Sequence, residues 1–202
     1  NIYLYGFHII KHMQVQKKSD EIIYGIRPVI EAIKQNTEIN KILVQKGLNG
    51  PVFHELRTLL KGSLVNIQLV PVEKLNKVTK NNHQGVVAYI SPVVYHNIEK
   101  LIPKLLEEKK APKFLVLDHI TDVRNFGSIA RTAECTGFDA IIIPSTGSAM
   151  VTGDAMKTSA GALHKIKVCK VDNLRKALDF ISDSEISIYA CTEKTDDEIY
   201  LD

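Results

Sequence analysis

Short apolar runs alternate along the chain with segments whose apolar residues recur at helical spacing. In the first half we predict four strands, at 22–24, 42–44, 67–70 and 85–90. The segments between them predict three helices, at 28–33, 54–60 and 72–78. Pro28 suits a first helical turn, because its missing N–H has no partner to lose there. This alternation predicts an α/β sandwich over residues 21–93.

The second half repeats the pattern with more continuous apolar runs. We predict strands at 114–117, 140–143, 166–171 and 186–191. Helices are predicted at 128–136, 153–160 and 173–181, the last one capped by Asn173. Apolar strands separated by helices favour a parallel sheet that is covered on both faces. We therefore predict a second α/β domain over residues 113–202.

Two segments fall outside these domains. Residues 97–110 are charged, with an apolar stripe that we interpret as a connecting helix, so that 94–112 form a linker helix ended by Ala111 and Pro112. Residues 1–20 are interpreted as an N-terminal extension or as residues added to the protein, with Met13 as a possible natural start.

The charge distribution separates the two halves. Hydrophobic residues make up 45% of the chain and charged residues 24%, as in ordinary globular proteins, and the net charge is only +3. Residues 21–93 hold nine Lys and Arg against five Asp and Glu, whereas residues 113–202 hold ten against fourteen. The first half is therefore the better candidate for binding a polyanion. Two solvated surfaces with no such role would give the same numbers.

Several function classes are excluded or disfavoured by the sequence. Cys135, Cys169 and Cys191 form no CxxC pair, which disfavours a zinc site or a disulfide framework and fits the cytoplasm. No apolar run approaches the roughly 20 residues that cross a bilayer, and no secretory signal is visible. The sequence contains no GxGxxG, GxxxxGK[ST] or HExxH motif, so a dinucleotide fold, a P-loop and a zinc protease site are not predicted.

The most informative local feature follows the predicted strand that ends at Leu117. A polar loop leads to a helix that we expect to begin near Gly127, with Asn125 just before it and Arg131 one turn into it. Loops at the carboxyl ends of parallel strands commonly carry the sites of α/β proteins. An Arg there can hold a phosphate by a two-pronged contact. Alternatively, Asn125 is only an N-cap and Arg131 only a surface cation.

Four motifs, in order, resemble the SpoU (TrmH) family of RNA 2'-O-ribose methyltransferases. Asn125, Phe126 and Gly127, followed by Arg131, resemble its first signature, and 157–162 resemble its KxSxGA segment. Residues 24–32 and the HQGVVA of 83–88 resemble the opening and the close of its ribosomal-protein-like substrate-binding domain. The resemblance implies that domain followed by a SPOUT-type parallel sheet with a trefoil knot. Val123 departs from the pattern, since Pro is common at this position.

The resemblance also implies an activity. Family members use S-adenosylmethionine to methylate a ribose 2'-hydroxyl, and the subgroup that is most similar acts on guanosine of large-subunit ribosomal RNA. It places Arg131 at the reacting ribose, with Asn125 positioning either Arg131 or the substrate. Family members are homodimers whose site draws on both subunits.

The cofactor pocket is expected to be incomplete in this sequence. The resemblance places Thr192 and Glu193 at the first edge of the pocket. Two further family motifs, which thread the knot and hold the cofactor, do not occur before the last residue, Asp202. We therefore expect the main cofactor contacts beyond Asp202, with an incomplete knot and weak cofactor binding by this chain.

RNA contacts and alternative functions complete the expectations. The candidate phosphate contacts are basic residues, namely Arg27, Lys41, Lys46, Lys74, Lys77, Lys80 and Arg124. One alternative is a non-catalytic RNA-binding or ribosome-assembly protein that works through its first domain. Another is a transfer RNA 2'-O-methyltransferase. No metal is expected, and the cytoplasm is the predicted location.

Overall fold

The structure is a computed structural model that describes residues 22–108 and 111–191. The first unit contains β1 (Ile22–Tyr24), α1 (Ile26–Lys34), β2 (Ile39–Gln45), α2 (Pro51–Leu59), β3 (Asn66–Val70), α3 (Val72–Val78) and β4 (Val86–Ile90). Each predicted strand and helix of residues 21–93 is found, with ends that differ by a few residues. The predicted extension, residues 1–20, lies outside the described residues.

The first unit is a three-layer sandwich. Its sheet has the order β1-β4-β2-β3, with β2 and β3 parallel and β4 antiparallel to both of its neighbours. One face packs Ile42 and Val44 against Val29, Ile30 and Leu56 of α1 and α2. The other face is covered by α3 through Leu75, together with the buried residues Leu43, Val70 and Val87. The α/β sandwich predicted from the alternation of residues is confirmed.

The second unit contains β5 (Tyr95–His96), α4 (Ile98–Glu108), β6 (Phe114–Val116), α5 (Val123–Cys135), β7 (Ala140–Pro144), α6 (Gly153–Thr158), a 3₁₀ turn (Ala162–His164), β8 (Lys167–Val171) and α7 (Leu174–Asp183). Its strands are all parallel, in the order β5-β8-β7-β6. Helices α5 and α6 cover one face, and α4 and α7 cover the other. The predicted parallel α/β sheet is confirmed, whereas the trefoil knot remains a prediction.

The bounds predicted for the second domain differ from those of the second unit. Segment 94–112, predicted as a linker before a boundary at Lys113, belongs to this unit, since its first residues form β5, which pairs with β8. Its helix, α4, buries Ile102 and Leu105 against the second sheet. The apolar stripe that suggested a connecting helix is therefore part of the second core. The predicted end of the domain, Asp202, lies outside the described residues.

The strand predicted at 186–191 is not formed in the described residues. Residues 186–191 have no regular secondary structure, and the side chains of Ile188 and Tyr189 are exposed. Only Ile186 packs against the second core. The fourth strand of the sheet is instead β5, because pairing depends on which segment meets the sheet edge and not on a local apolar run.

A close contact between α5 and α6 determines how the second unit packs. Gly127 is buried in α5, and a Cβ atom at this position would lie 2.8 Å from the carbonyl oxygen of Ala155 and 2.8 Å from the Cβ of Thr158. Both atoms belong to α6. The two helices therefore approach as closely as they do only because residue 127 has no side chain.

Asn40 joins the two units. It lies at an irregularity in the pairing of β2 with β4, where Ile39 pairs with Ile90 and Lys41 pairs with Tyr89. Such a bulge re-aims a side chain. The buried Asn40 amide donates to the carbonyl oxygen of Ile90 at 3.1 Å and to that of Val151, in the second unit, at 2.8 Å.

The same residue is also held from the second sheet. The hydroxyl of Tyr95 donates to Oδ1 of Asn40 at 2.5 Å, and Nζ of Lys170 donates to its backbone carbonyl at 3.2 Å. Asn40 and Lys170 are both buried.

In the part of the chain that the structure describes, no helix is long and apolar enough to span a bilayer.

We expect Gly127→Ala to destabilise the second unit by about 1–3 kcal/mol, because the added methyl group would overpack the α5–α6 contact. Helix propensity alone would give the opposite sign, about 1 kcal/mol in favour of Ala. Urea denaturation measures the difference, with Ser128→Ala on the exposed face of α5 as the control. A Gly127→Ala protein that is more stable than the parent would contradict the packing argument.

We expect Asn40→Ala to lower stability by about 1–3 kcal/mol, because it leaves buried partners in both units without a hydrogen bond. Hydrogen exchange should also speed up at residues 149–151, which face Asn40 across the boundary between the units. The control is Asn49→Ala, at an exposed amide in the same unit. Unchanged exchange at 149–151 would show that Asn40 does not hold the units together.

Candidate functional site

The loops after β6 and β7 lie at one edge of the second sheet. Because β6, β7 and β8 are parallel, their carboxyl ends share this edge. The backbone N–H of Ala149 donates to the carbonyl oxygen of Ile120 at 2.7 Å, which ties the two loops together. His119 has a φ of +54° and contacts Asp118, and both side chains are exposed. This is the edge at which parallel α/β sheets generally bind ligands.

Helix α5 begins earlier than the sequence predicted. Asp122 is its N-cap, and its carboxylate accepts a hydrogen bond from the backbone N–H of Asn125 at 2.7 Å. Asn125 is therefore a residue of the first helical turn, so the prediction that it precedes the helix was wrong. The alternative that Asn125 is itself the N-cap was also wrong. The residue type that signalled the true start was Asp122, a preferred N-cap.

Arg131 lies farther along α5 than predicted. It is the ninth helical residue and not one turn in, so it lies roughly 9 Å along the helix axis from Asn125 at 1.5 Å per residue. It shares an exposed stripe with Arg124 and Ser128, opposite the buried Phe126 and Ala130. Within residues 22–108 and 111–191, its guanidinium has no hydrogen-bond or ion-pair partner. The group is therefore available to bind an anion from outside the chain.

The segment 157–162 supports α5. Ser159 is buried, its hydroxyl donates to the carbonyl oxygen of Met156 at 2.9 Å, and its backbone nitrogen would lie 3.2 Å from a Cβ atom on residue 127. Ala160 and Gly161 then adopt positive φ values of 49° and 88°. The small residues of the segments 125–131 and 157–162 thus allow α6 to pack closely on α5, the helix that carries Arg131.

The two motifs of the first unit also contact each other. Oε1 of Gln84 accepts a hydrogen bond from the backbone N–H of Ile26 at 3.3 Å, at the start of α1. Nδ1 of the buried His83 accepts from the N–H of Gly85 at 3.0 Å, and its Nε2 lies 2.9 Å from Oδ1 of Asn76. These contacts stabilise the loop before β4 and make the motif structural.

The candidate RNA contacts do not all lie together. Nζ of Lys41 lies 5.0 Å from the centre of the Tyr89 ring. Burial, and to a lesser extent the nearby charge of Lys74, lower the pKa of Lys41. Arg27 instead contacts Glu55 of α2 at 3.4 Å. Lys41 and Lys74 are thus near enough for their charges to interact, whereas Arg27 has an acidic partner. The other candidates are exposed, namely Lys46, Lys77, Lys80 and Arg124.

A cleft of about 260 Å³ lies between the two units. Asn66, Gln68 and Lys41 line it from the first unit, and the loop 145–150 lines it from the second. Asn40, Tyr95 and Lys170 also border this cleft. It was not predicted from the sequence, although a polar residue inside each of two buried strands, Asn40 and Lys170, was a signal that could have been noticed.

Burial governs the titratable groups beside this cleft. It raises the pKa of Tyr95 to about 12, so the hydroxyl keeps the proton that it donates to Asn40. It lowers the pKa of Lys170, an effect that the charge of Glu38 opposes. The ammonium of Lys170 also lies 4.8 Å from the centre of the Tyr95 ring.

The cleft does not fit S-adenosylmethionine. Its lining includes two lysines and no carboxylate, and like charges would repel the cofactor's sulfonium cation. No group of three or more His, Cys, Asp and Glu side chains that could hold a metal occurs within the described ranges.

The residues predicted for the cofactor pocket are not among those that the structure describes. Thr192 and Glu193, predicted at the first edge of the pocket, lie outside the described residues. Asp202, beyond which the main cofactor contacts were predicted, lies outside them as well. The place of Thr192 and Glu193 at the edge of the pocket, and the main cofactor contacts beyond Asp202, therefore stay predictions.

Comparison with known families gives two matches that together cover most of the chain. Residues 22–96 match a family described as RNA 2'-O ribose methyltransferase substrate binding. Residues 112–201 match the SpoU rRNA Methylase family. The two matches follow in the order of the two units.

Staphylococcal proteins named as TrmH family tRNA/rRNA methyltransferases are similar in sequence. The one from Staphylococcus epidermidis is 35% identical over 183 residues, which cover 91% of this chain and 73% of that protein. The one from Staphylococcus aureus (strain MSSA476) is 36% identical over 165 residues, which cover 82% of this chain and 66% of that protein. The chain thus spans slightly less than two thirds of the Staphylococcus aureus relative.

Two solved structures are also similar. The AdoMet-bound rRNA methyltransferase from Sinorhizobium meliloti has a TM-score of 0.40 and 18% identity, covering 81% of this chain and 58% of its own. The SpoU methyltransferase AviRb from Streptomyces viridochromogenes, in complex with AdoMet, has a TM-score of 0.39 and 17% identity, with the same coverage. On the sequence matches, the chain belongs to the SpoU (TrmH) family.

Proposed function

We propose that this protein transfers a methyl group from S-adenosylmethionine to a ribose 2'-hydroxyl of RNA. The observation that carries the proposal is the exposed guanidinium of Arg131, without a partner among the described residues, in a chain whose two units match the family's substrate-binding and methylase domains. A helix held in place by the Gly127 contact gives this cation a fixed position. An RNA backbone supplies the anion that such a group binds.

The cofactor, when bound, supplies an already activated methyl group. The protein then has to align the ribose hydroxyl and stabilise the negative charge that develops on its oxygen. Arg131 is suited to that stabilisation and not to proton removal, because a guanidinium group offers five N–H donors and no site that accepts a proton. The hydroxyl proton leaves to a phosphate oxygen or to water, and Asn125 positions the substrate.

We further propose that the active site draws on two copies of the chain. Arg131 lies about two helical turns from the end of α5 that meets the carboxyl edge of its own sheet. That offset makes it poorly placed to act over its own strand ends. A second copy packed against the exposed stripe of α5 would instead receive this guanidinium. A homodimer therefore accounts for the position of Arg131 better than a monomer does.

We propose that the target is a guanosine of large-subunit ribosomal RNA. We also propose that the protein acts in the cytoplasm. The first unit supports an RNA substrate because it matches a substrate-binding domain and carries two lysines, Lys41 and Lys74, whose charges are near enough to interact. Transfer RNA is the alternative, and the staphylococcal relatives carry both substrates in their name.

We expect Arg131→Ala in the full-length protein to reduce methyl transfer by about 100-fold or more, as for the removal of other groups that stabilise a transition state. Affinity for RNA should fall by only a few fold, because one of several cationic contacts is lost. Incorporation of labelled methyl groups into ribosomal RNA and filter binding of the same RNA measure the two effects.

Two further variants make this result specific. Arg131→Lys keeps the charge but removes the fork of donors, so it should recover only part of the activity. Arg175→Ala removes an exposed Arg from α7, on the other face of the sheet, and should leave methyl transfer unchanged. Turnover by Arg131→Ala at the rate of the unmodified protein would refute the role of this residue.

RNA affinity should fall steeply with salt. Each phosphate that a Lys or Arg neutralises contributes a slope of about −0.7 to −0.9 to the plot of log affinity against log salt. We expect Lys41→Ala and Lys74→Ala each to make this negative slope shallower by about one. Arg27→Ala should change it less, because Glu55 already pairs with this residue. A flat salt response would contradict electrostatic binding by the first unit.

A further inference from the structure

We propose that the cleft between the two units binds one unpaired nucleotide of the RNA. The inference rests on the proposed function, in that RNA is taken as the substrate. It adds a site and a specificity that the family match does not assign: the base lies between the carboxamides of Asn66 and Gln68 and the loop 145–150, and its phosphate lies toward Lys41.

The first wall of the cleft presents two free amide groups. Asn66 and Gln68 are two residues apart on β3, so their side chains project from the same face of the sheet. Both are half-buried, and neither has a side-chain hydrogen-bond partner within the described residues. Each carboxamide offers two donor hydrogens and an acceptor oxygen. Half-buried amides without partners are groups that a ligand can satisfy.

The chemistry of these amides matches a nucleobase. Asn and Gln side chains can pair with the donor and acceptor groups on base edges through two hydrogen bonds. In a duplex the Watson–Crick edges are already paired, whereas unpaired bases expose them, which is why proteins read RNA sequence mostly in loops and single strands. The wall formed by Asn66 and Gln68 therefore favours an unpaired nucleotide over a duplex.

The charge of the cleft selects an anion. Lys41 and Lys170 are among its lining residues, which include no Asp or Glu. Lys41 is paired in register with Asn66 on the neighbouring strand, so the two side chains leave adjacent positions of the sheet, and both line the cleft. Lys170 is already bonded to the carbonyl of Asn40 and helps to fix the cleft. Lys41 is therefore the group that can meet the phosphate.

Size and position agree with this ligand. The volume of about 260 Å³ lies just below the roughly 300–1,000 Å³ of pockets for drug-sized molecules, as suits a single nucleoside. Val123 and Met150 supply apolar contacts on the second wall. Val123 is also the first residue of α5, so a nucleotide held here would lead the RNA chain onto the helix that carries Asn125 and Arg131.

Fluorescence anisotropy with a labelled single-stranded RNA of about 12 nucleotides tests the site on the 202-residue chain, since binding needs no cofactor. We expect the double variant Asn66→Ala, Gln68→Ala to bind this RNA about tenfold or more weakly, as for the loss of a two-bond contact to a base. Affinity for the same RNA in a duplex should change by less than about twofold, because the duplex does not enter the cleft.

Matched variants separate this effect from damage to the fold. Gln35→Ala with Asn49→Ala removes two exposed amides of the same unit outside the cleft and should bind like the unmodified protein. Gln68→Glu keeps the size of the side chain and places a negative charge in the cleft, so it should weaken single-strand binding as well. Thermal unfolding of all variants should match that of the unmodified protein.

A proximity measurement completes the test. RNA that contains 4-thiouridine should form photo-cross-links within the loop 145–150, and the double variant should lose them. Equal binding of single-stranded RNA by the double variant, or cross-links confined to α3, would overturn the inference. Binding of free guanosine monophosphate as tight as that of the single-stranded RNA would instead indicate a mononucleotide site and would also overturn it.

Failure of this inference can be told apart from failure of the proposed function. If the full-length protein methylates RNA and depends on Arg131, but the double variant binds single-stranded RNA normally, only the cleft assignment is wrong. If the protein binds no RNA, single-stranded or structured, both are wrong.

Discussion

The buried amide of Asn40 is the contact on which the arrangement of the two units depends. Its hydrogen bonds to Val151 and Tyr95, with that of Lys170 to its carbonyl, cross the boundary between two separate cores, and its bond to Ile90 anchors it within the first unit. Apolar packing alone would allow the units to slide, whereas hydrogen bonds between buried groups require one geometry, because each unmet partner is costly. The bulge in β2 is what turns Asn40 toward this boundary. The same hydrogen bonds at Asn40 hold apart the two walls of the cleft that we propose to bind RNA.

A second constraint lies within the second unit. Gly127 lets α5 meet α6, and Ser159 completes that contact. The family's two signature segments are thus neighbours in space, and most of their residues act by packing. This leaves Arg131 as the residue of the first segment whose exposed cation has no structural partner among the described residues. Because the other residues of the two segments act mostly by packing, the guanidinium of Arg131 is the group to which we assign the chemistry of the site.

Much of the fold could be predicted from the sequence, because it depends on local patterns. The elements of the first unit followed from apolar spacing, and Asn173 was correctly predicted as a cap. The failures concern interactions between distant segments. Residues 186–191 have the composition of a strand but no paired neighbour in the described residues, whereas the short β5 pairs with β8. Candidate site residues could be predicted from the sequence, but the cleft could not. Its lining residues, such as Asn66 and Thr121, come from different units and line one cleft only in the folded protein.

The destination of the methyl group, a ribose oxygen and not a base, is the central claim. The direct measurement is to incubate the full-length protein with large-subunit ribosomal RNA and methyl-labelled S-adenosylmethionine, and then to digest the RNA to nucleosides and identify the labelled one. We predict label in 2'-O-methylguanosine, at a position that resists alkaline cleavage. Label in a methylated base, or no label in any RNA offered, would contradict the claim.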